Sequence, residues 1–254
     1  MNNLTSNTLK IIAICTMILD HIALYFHFLM PANIYLICRA IGRISMPIFV
    51  FLLIEGFFHT KDIKKYIIRL ISIAIITQIA ISIISYVNII YVPNYIINVY
   101  KELNIVFSLS LTMALICLID KKDILPVNII TKILRISLIF IILVLFIVLP
   151  IDYQLNVPLM AIGLYIAYKI KDSKKLNNIN IVNKLLVSTS IILPSILQGF
   201  WVIFTPLALP FIFVYNNKLG YKSTLIKKMF YLSFFMQHIL LYILSLLIFS
   251  FKIV

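Results

Sequence analysis

The sequence predicts an all-α, polytopic transmembrane helical bundle. Hydrophobic residues make up 63% of the 254 residues and charged residues only 12%, whereas soluble domains average roughly 45–50% and 25%. Apolar runs recur at lengths that suit a hydrocarbon core about 30 Å thick. The basic residues fall between these runs, as they do in the short cytoplasmic loops of membrane proteins.

Charge and proline divide the apolar sequence into about nine predicted spans. They cover residues 9–30, 34–58, 65–91, 104–119, 133–150, 155–170, 184–198, 200–215 and 229–251. The fourth, sixth, seventh and eighth are short for a full crossing, which takes about 20 residues. Pro194, Pro206 and Pro210 fall within the seventh and eighth spans, where proline interrupts helical hydrogen bonding.

The distribution of basic residues predicts a cytoplasmic N-terminus. This orientation places 18 of the 22 Lys and Arg residues at cytoplasmic positions, which is the bias that membrane proteins show. They are Lys10 and those within 61–69, 121–135, 169–184 and 218–228. We therefore predict a multi-pass protein of the cell membrane, with one domain over residues 1–254, because no repeat or linker divides the chain.

The formal net charge of +14 does not indicate a nucleic-acid partner. Nucleic-acid binding needs a basic face on a folded domain, and here the basic residues are spread over short loops. The predicted partner is the lipid bilayer. Cys15, Cys38 and Cys117 lie within apolar runs without metal-type spacing, so they are interpreted as small buried hydrophobic residues and no metal site is predicted.

Four ionisable side chains fall near the middle of predicted spans. They are Asp20, His21, Arg43 and His238. At about 1.5 Å of helix rise per residue, His21, Arg43 and His238 each lie roughly 14–16 Å from the nearer span end. A charged group at that depth costs at least ~2.5–3.5 kcal/mol on insertion scales, so we expect these groups to share one polar cavity.

Simpler interpretations remain open for these residues. Each histidine can be a neutral, hydrogen-bonded member of the bundle, and Asp20 can serve only as the counter-ion of Arg43. Glu55 and His59 are spaced i,i+4 at the predicted inner end of the second span, where they line a cytoplasmic vestibule or form a plain helix-end pair. Tyr25 is assigned to an interfacial aromatic belt without a chemical role.

The sequence resembles TraX-type membrane proteins. The resemblance is dense over residues 9–80 and rests on Leu9-Lys10-Ile11-Ile12-Ala13, Asp20-His21-Ile22, Gly42-Arg43-Ile44-Ser45-Met46-Pro47-Ile48-Phe49, Glu55-Gly56-Phe57-Phe58-His59-Thr60 and Tyr66-Ile67-Ile68-Arg69-Leu70. It returns near Phe230-Tyr231 and His238. There Phe235-Met236-Gln237-His238 stands where the family typically shows a Tyr-Pro-x-His pattern.

The resemblance implies an integral-membrane acetyltransferase of the kind associated with acetylation of F-type pilin. It implies acetyl-CoA as a cytoplasmic donor and a pilin, peptide N-terminus or cell-surface glycan as the acceptor at the outer face. The residues expected to bind the donor are Arg39, Arg43, Glu55, His59 and Arg69.

The catalytic hypothesis makes His21 the general base, because imidazole titrates near neutral pH. In it, Asp20 sets the tautomer of His21 or raises its basicity, Arg43 stabilises the oxyanion or positions the donor, and His238 is a second acid or base or a contact on the acceptor side. Direct transfer and an acetyl-histidine intermediate both fit this set. Two other functions stay open: a proton-coupled transporter, since intramembrane acids and histidines also serve proton relays, and a non-catalytic accessory protein of pilus assembly or secretion.

Overall fold

The computed structural model describes residues 4–91, 102–120, 129–172, 179–196, 200–221 and 224–253. Within these ranges the chain is helical apart from loops and two isolated β-bridges, Leu4–Tyr215 and Leu103–Ile151, which confirms the predicted all-α class. The helices are α1 (Ser6–Tyr25), α2 (Ala32–Gly42), α3 (Ser45–His59), α4 (Ile63–Tyr91), α5 (Ile105–Asp120), α6 (Ile129–Val148), α7 (Asn156–Asp172), α8 (Ile179–Ile196), α9 (Leu209–Phe213) and α10 (Thr224–Ile253). Two 3₁₀ segments cover His27–Leu29 and Phe200–Ala208.

Every predicted span coincides with one or two of these elements, and the chain is a multi-pass membrane protein. Five segments of the described chain are long and apolar enough to cross a bilayer. They are Ser6–Tyr25, Ala32–His59, Ile63–Val87, Ile129–Val148 and Lys228–Ile248. The number of crossings and the cytoplasmic N-terminus stay predictions. Lys101 and residues 121–128, which contribute to the orientation argument, lie outside the described residues.

The second predicted span is not one continuous helix. It divides at Arg43 into α2 and α3. Pro47 accounts for the break, because it has no N–H to donate to the carbonyl of Arg43 and its ring would clash with that carbonyl. Proline is tolerated in the first turn of α3, and the Ser45 hydroxyl donates to the Gly42 carbonyl across the junction at 2.8 Å.

The described chain forms two compact units. The first comprises residues 1–49, 75–101 and 199–254, and the second comprises residues 50–74 and 102–198. In the first unit α1 packs against α2 and α10, around a buried cluster of Tyr25, Ile84, Leu241 and Tyr242. In the second, α5 packs against α6 and α7, and α7 against α8. The prediction of a single domain stays a prediction.

Helix α6 has the apolar surface expected of a helix that faces lipid. Ile129, Ile136, Phe140 and Ile147 on this helix are each at least 66% exposed. Contiguous apolar surface of this kind marks a protein or membrane contact on a folded chain. The helix satisfies its own backbone hydrogen bonds, so it can lie directly in hydrocarbon.

Candidate functional site

Asp20 is the centre of an ion-pair cluster in the first unit. Its Oδ2 atom lies 2.8 Å from Nη1 of Arg39, and its two carboxylate oxygens lie 3.2 and 3.1 Å from Nη2 of Arg43. The i,i+4 spacing of the arginines places both guanidinium groups on the face of α2 that meets α1. Asp20 is 9% exposed, and its single carboxylate therefore binds two guanidinium groups in a largely buried position.

Gly42 allows this cluster to form, because α2 ends in close contact with Asp20. A Cβ atom at Gly42 would lie 2.3 Å from Cβ of Asp20 and 2.5 Å from its Oδ1. Both distances are far inside van der Waals contact, and the Cβ of Asp20 is fixed to the backbone of α1. Any side chain at position 42 therefore has to separate the two helices.

Gly42→Ala is expected to lower the thermal stability of the detergent-solubilised protein. Overpacking of a tight contact typically costs about 1–3 kcal/mol, and here it also stretches the ion pairs of Asp20. A matched control is Gly56→Ala, where the new Cβ would meet the hydroxyl end of the Tyr66 side chain at 2.8 Å. The end of the Tyr66 side chain can shift through its own torsion angles, which the Cβ of Asp20 cannot, so the control should lose less stability. Equal shifts in the two unfolding temperatures would contradict the close contact at Gly42.

His21 and His238 bring the first and last helices of the chain into contact. Their ring centroids are 4.6 Å apart and the ring planes are tilted by 54°. His238 is buried, and its Nδ1 atom lies 3.0 Å from the hydroxyl oxygen of Tyr25. Nδ1 of His21 is buried without a hydrogen-bond partner in the part of the chain that the structure describes.

The imidazole pair and the ion-pair cluster adjoin each other, because Asp20 and His21 are consecutive on α1. The carboxylate of Asp20 bonds to the arginines, and no hydrogen bond between Asp20 and His21 occurs among the described residues. Consecutive side chains on a helix do not face each other. Asp20 therefore cannot set the tautomer of His21 by direct contact, and its observed role is to hold Arg39 and Arg43.

Sequence reasoning missed the residues that surround His238. The assignment of Tyr25 to an interfacial belt is wrong, because its side chain is 0% exposed and bonds to His238. Gln237 precedes His238 on α10 and is buried, and Tyr242 lies against Tyr25 with ring centroids 6.5 Å apart. The sequence did contain a signal in its i,i+4 spacing, which places residues on one helix face. Tyr25 lies four residues after His21, and Tyr242 lies four residues after His238.

The other predicted donor-binding residues belong to the second unit. Nδ1 of His59 bonds to the Glu55 carbonyl at 2.9 Å, and the Glu55 carboxylate accepts a hydrogen bond from the Tyr168 hydroxyl. Arg69 is exposed on α4. Glu55 is thus buried and bonded, and Nδ1 of His59 also lies 3.6 Å from its carboxylate. The side chains of His59 and Arg69 are exposed.

A second polar group of this unit, at the ends of α5 and α7, was also missed. The Tyr165 hydroxyl donates to the Asp120 carboxylate, and Lys169 pairs with the same carboxylate at 2.5 Å. Tyr165 and Lys169 are spaced i,i+4 on α7, a pattern that the sequence contained. In the described ranges, no group of three or more His, Cys, Asp or Glu residues has the geometry to hold a metal ion.

Comparison with known proteins places the chain in a family. The model of the family described as TraX protein matches residues 5–247. A relative from Dichelobacter nodosus, named as a probable fimbrial assembly protein FimC of serogroup H1, is 44% identical over 71 residues. That match spans 28% of this chain and 28% of the relative. No solved structure matches the chain.

Proposed function

We propose that this chain, which belongs to the TraX family of membrane proteins, is a membrane-embedded acetyltransferase. The observation that supports this most directly is the contact between the imidazoles of His21 and His238, 4.6 Å apart, beside a doubly bound Asp20. Acyl transfer needs a base that works near neutral pH and positive groups where an oxyanion forms. In the first unit, His21 on α1 is the proposed base, and Arg43 at the end of α2, bound by the neighbouring Asp20, is the proposed positive group.

In the proposed reaction, an amine or hydroxyl acceptor attacks the thioester carbonyl of acetyl-CoA. His21 accepts the proton that the acceptor loses. The new N–C or O–C bond forms, the C–S bond breaks, and the proton passes from His21 to the departing thiolate. Arg43, held by Asp20, stabilises the negative charge on the carbonyl oxygen in the transition state.

Donor binding is proposed to involve a smaller set than the sequence suggested. A guanidinium binds phosphate by charge-assisted hydrogen bonds, and exposed Arg69 is suited to that task. The carboxylate of Glu55 would repel phosphate and is already bound by Tyr168. Arg69 and His59 therefore stay sequence-based candidates for phosphate binding, and Glu55 is assigned instead to its contact with Tyr168 on α7.

The acceptor is proposed to be a surface or secreted substrate of pilus assembly. The support is the name of the Dichelobacter nodosus relative, a probable fimbrial assembly protein, together with the family match. A pilin or peptide N-terminal amine is the first candidate, and a glycan hydroxyl is the second, since one base activates either. Fold alone does not set the substrate.

Acetyl-CoA should stabilise the purified protein against thermal unfolding. A ligand at 100 times its Kd adds about 2.7 kcal/mol to the free energy of unfolding, and ATP, which shares the adenine and phosphates, should add less. In parallel, mass spectrometry of surface proteins should show acetyl groups that disappear in cells lacking this chain. Two results together would refute the proposal: no thermal stabilisation by acetyl-CoA, and unchanged surface acetylation in cells that lack this chain. They would favour the transporter or accessory function.

A further inference from the structure

Tyr25 and His238 form a buried hydrogen bond between α1 and α10, beside the second imidazole. The Tyr25 hydroxyl oxygen lies 3.0 Å from Nδ1 of His238, a normal hydrogen-bond length. Tyr25 is 0% exposed and His238 is 6% exposed, so bulk water has little access to the hydrogen bond between them. Tyr25 lies one helical turn beyond His21, which places three functional groups in one small region.

The phenol O–H is a stronger acid than a neutral imidazole N–H, which favours the Tyr25 hydroxyl as the donor of this hydrogen bond. A neutral imidazole has one N–H donor and one acceptor nitrogen, and a phenol carries a single O–H that donates well to such a nitrogen. With the Tyr25 hydroxyl donating to Nδ1, the proton of neutral His238 resides on Nε2. The hydrogen bond on one ring nitrogen therefore fixes the state of the other.

We propose that Tyr25 is a positioning residue that keeps His238 as a neutral Nε2–H donor for the oxyanion of the acyl-transfer reaction. This inference rests on the proposed function. It divides the work between the two histidines: His21 accepts the acceptor's proton and returns it to the thiolate, while His238 donates a hydrogen bond and transfers no proton. No imidazolate or tyrosinate forms, and the atoms and charges balance as in direct acyl transfer.

The alternative, in which both histidines act as bases, is disfavoured by their separation. Rings with centroids 4.6 Å apart repel each other when both are protonated. Nδ1 of His21 is buried and has no hydrogen-bond partner in the described chain, whereas Nδ1 of His238 lies within hydrogen-bond distance of the Tyr25 hydroxyl. This difference between the two Nδ1 atoms is the basis for assigning the two imidazoles different roles.

The test compares Tyr25→Phe with Tyr242→Phe. Tyr242 is buried, lies against Tyr25, and its hydroxyl has no hydrogen-bond partner in the described chain, so its variant removes a nearby hydroxyl without touching His238. ¹⁵N NMR of histidine-labelled protein, without substrate, reads the protonation of each ring nitrogen. We expect Nε2 of His238 to carry the proton in the wild type and in Tyr242→Phe, and the preference to weaken in Tyr25→Phe.

Kinetics supply the second measurement, with release of CoA thiol from acetyl-CoA as the probe in membranes that contain the natural acceptor. Tyr25→Phe should lower kcat about 10-fold, less than the ~10²–10³-fold cost of deleting an oxyanion donor, with KM for acetyl-CoA unchanged. A wild-type His238 protonated on Nδ1, or a spectrum unaltered by Tyr25→Phe, would overturn the assignment. If the wild type turns over acetyl-CoA but Tyr25→Phe leaves kcat unchanged, the positioning role of Tyr25 fails, whereas a wild type without any acetyl-CoA turnover refutes the acetyltransferase function itself.

Discussion

Replacing His21 by alanine is expected to lower acetyl transfer about 10²- to 10⁴-fold, the usual contribution of a general base. The loss should appear in kcat, because the imidazole acts on the proton released during attack and contributes little to donor binding. The assay is the formation of CoA thiol in membranes from cells that express each variant. Binding of acetyl-CoA to the variant, measured as thermal stabilisation, should persist.

His27→Ala is the matched control for this experiment. His27 lies on the 3₁₀ turn after α1, is exposed, and bonds through Nδ1 to the Leu24 carbonyl at 3.1 Å. It has the same imidazole group as His21 but lacks the contact that His21 makes with His238. Wild-type turnover by His21→Ala, or an equal loss in both variants, would remove the general-base assignment.

The helices of this chain were predictable because hydrocarbon imposes a simple rule on sequence. Only segments that satisfy their own backbone hydrogen bonds cross lipid, so length and hydropathy locate them. The break between α2 and α3 also had a sequence cause in Pro47, which the span prediction overlooked because hydropathy is continuous there. Which side chains are buried against other helices depends on tertiary packing, and the sequence indicates this less clearly than it indicates the helices.

The candidate site was likewise predictable in part: the sequence indicated its charged residues but not the buried side chains around them. Convergence of Asp20 on Arg43 was foreseeable, because intramembrane charges require partners. The participation of Arg39 followed from the i,i+4 spacing once the face of α2 was known. Tyr25 was missed because an apolar ring with a polar end has the same composition at an interface and in a core. Only its burial distinguishes the two locations.

Asp20→Asn is expected to cost about 3–5 kcal/mol of stability, the typical result of removing one partner from a buried ion pair. The carboxylate bonds to two guanidinium groups whose side chains are only 16% and 11% exposed. An amide cannot neutralise either of them. Among the residues assigned to the first unit, Asp20 is also the only Asp or Glu in the sequence. Thermal unfolding in detergent measures the loss.

The control is Asp62→Asn, an exposed acid at the start of α4 that pairs with Lys65 at 3.2 Å. Hydrogen bonds from the Lys65 backbone N–H and then from its side chain lower the pKa of Asp62. Asparagine caps a helix as well as aspartate does, so this variant should change stability little. Combining Asp20→Asn with Arg39→Gln removes one of the two unneutralised charges and should recover part of the loss. An Asp20→Asn protein as stable as Asp62→Asn would show that water or lipid, not Asp20, neutralises the arginines.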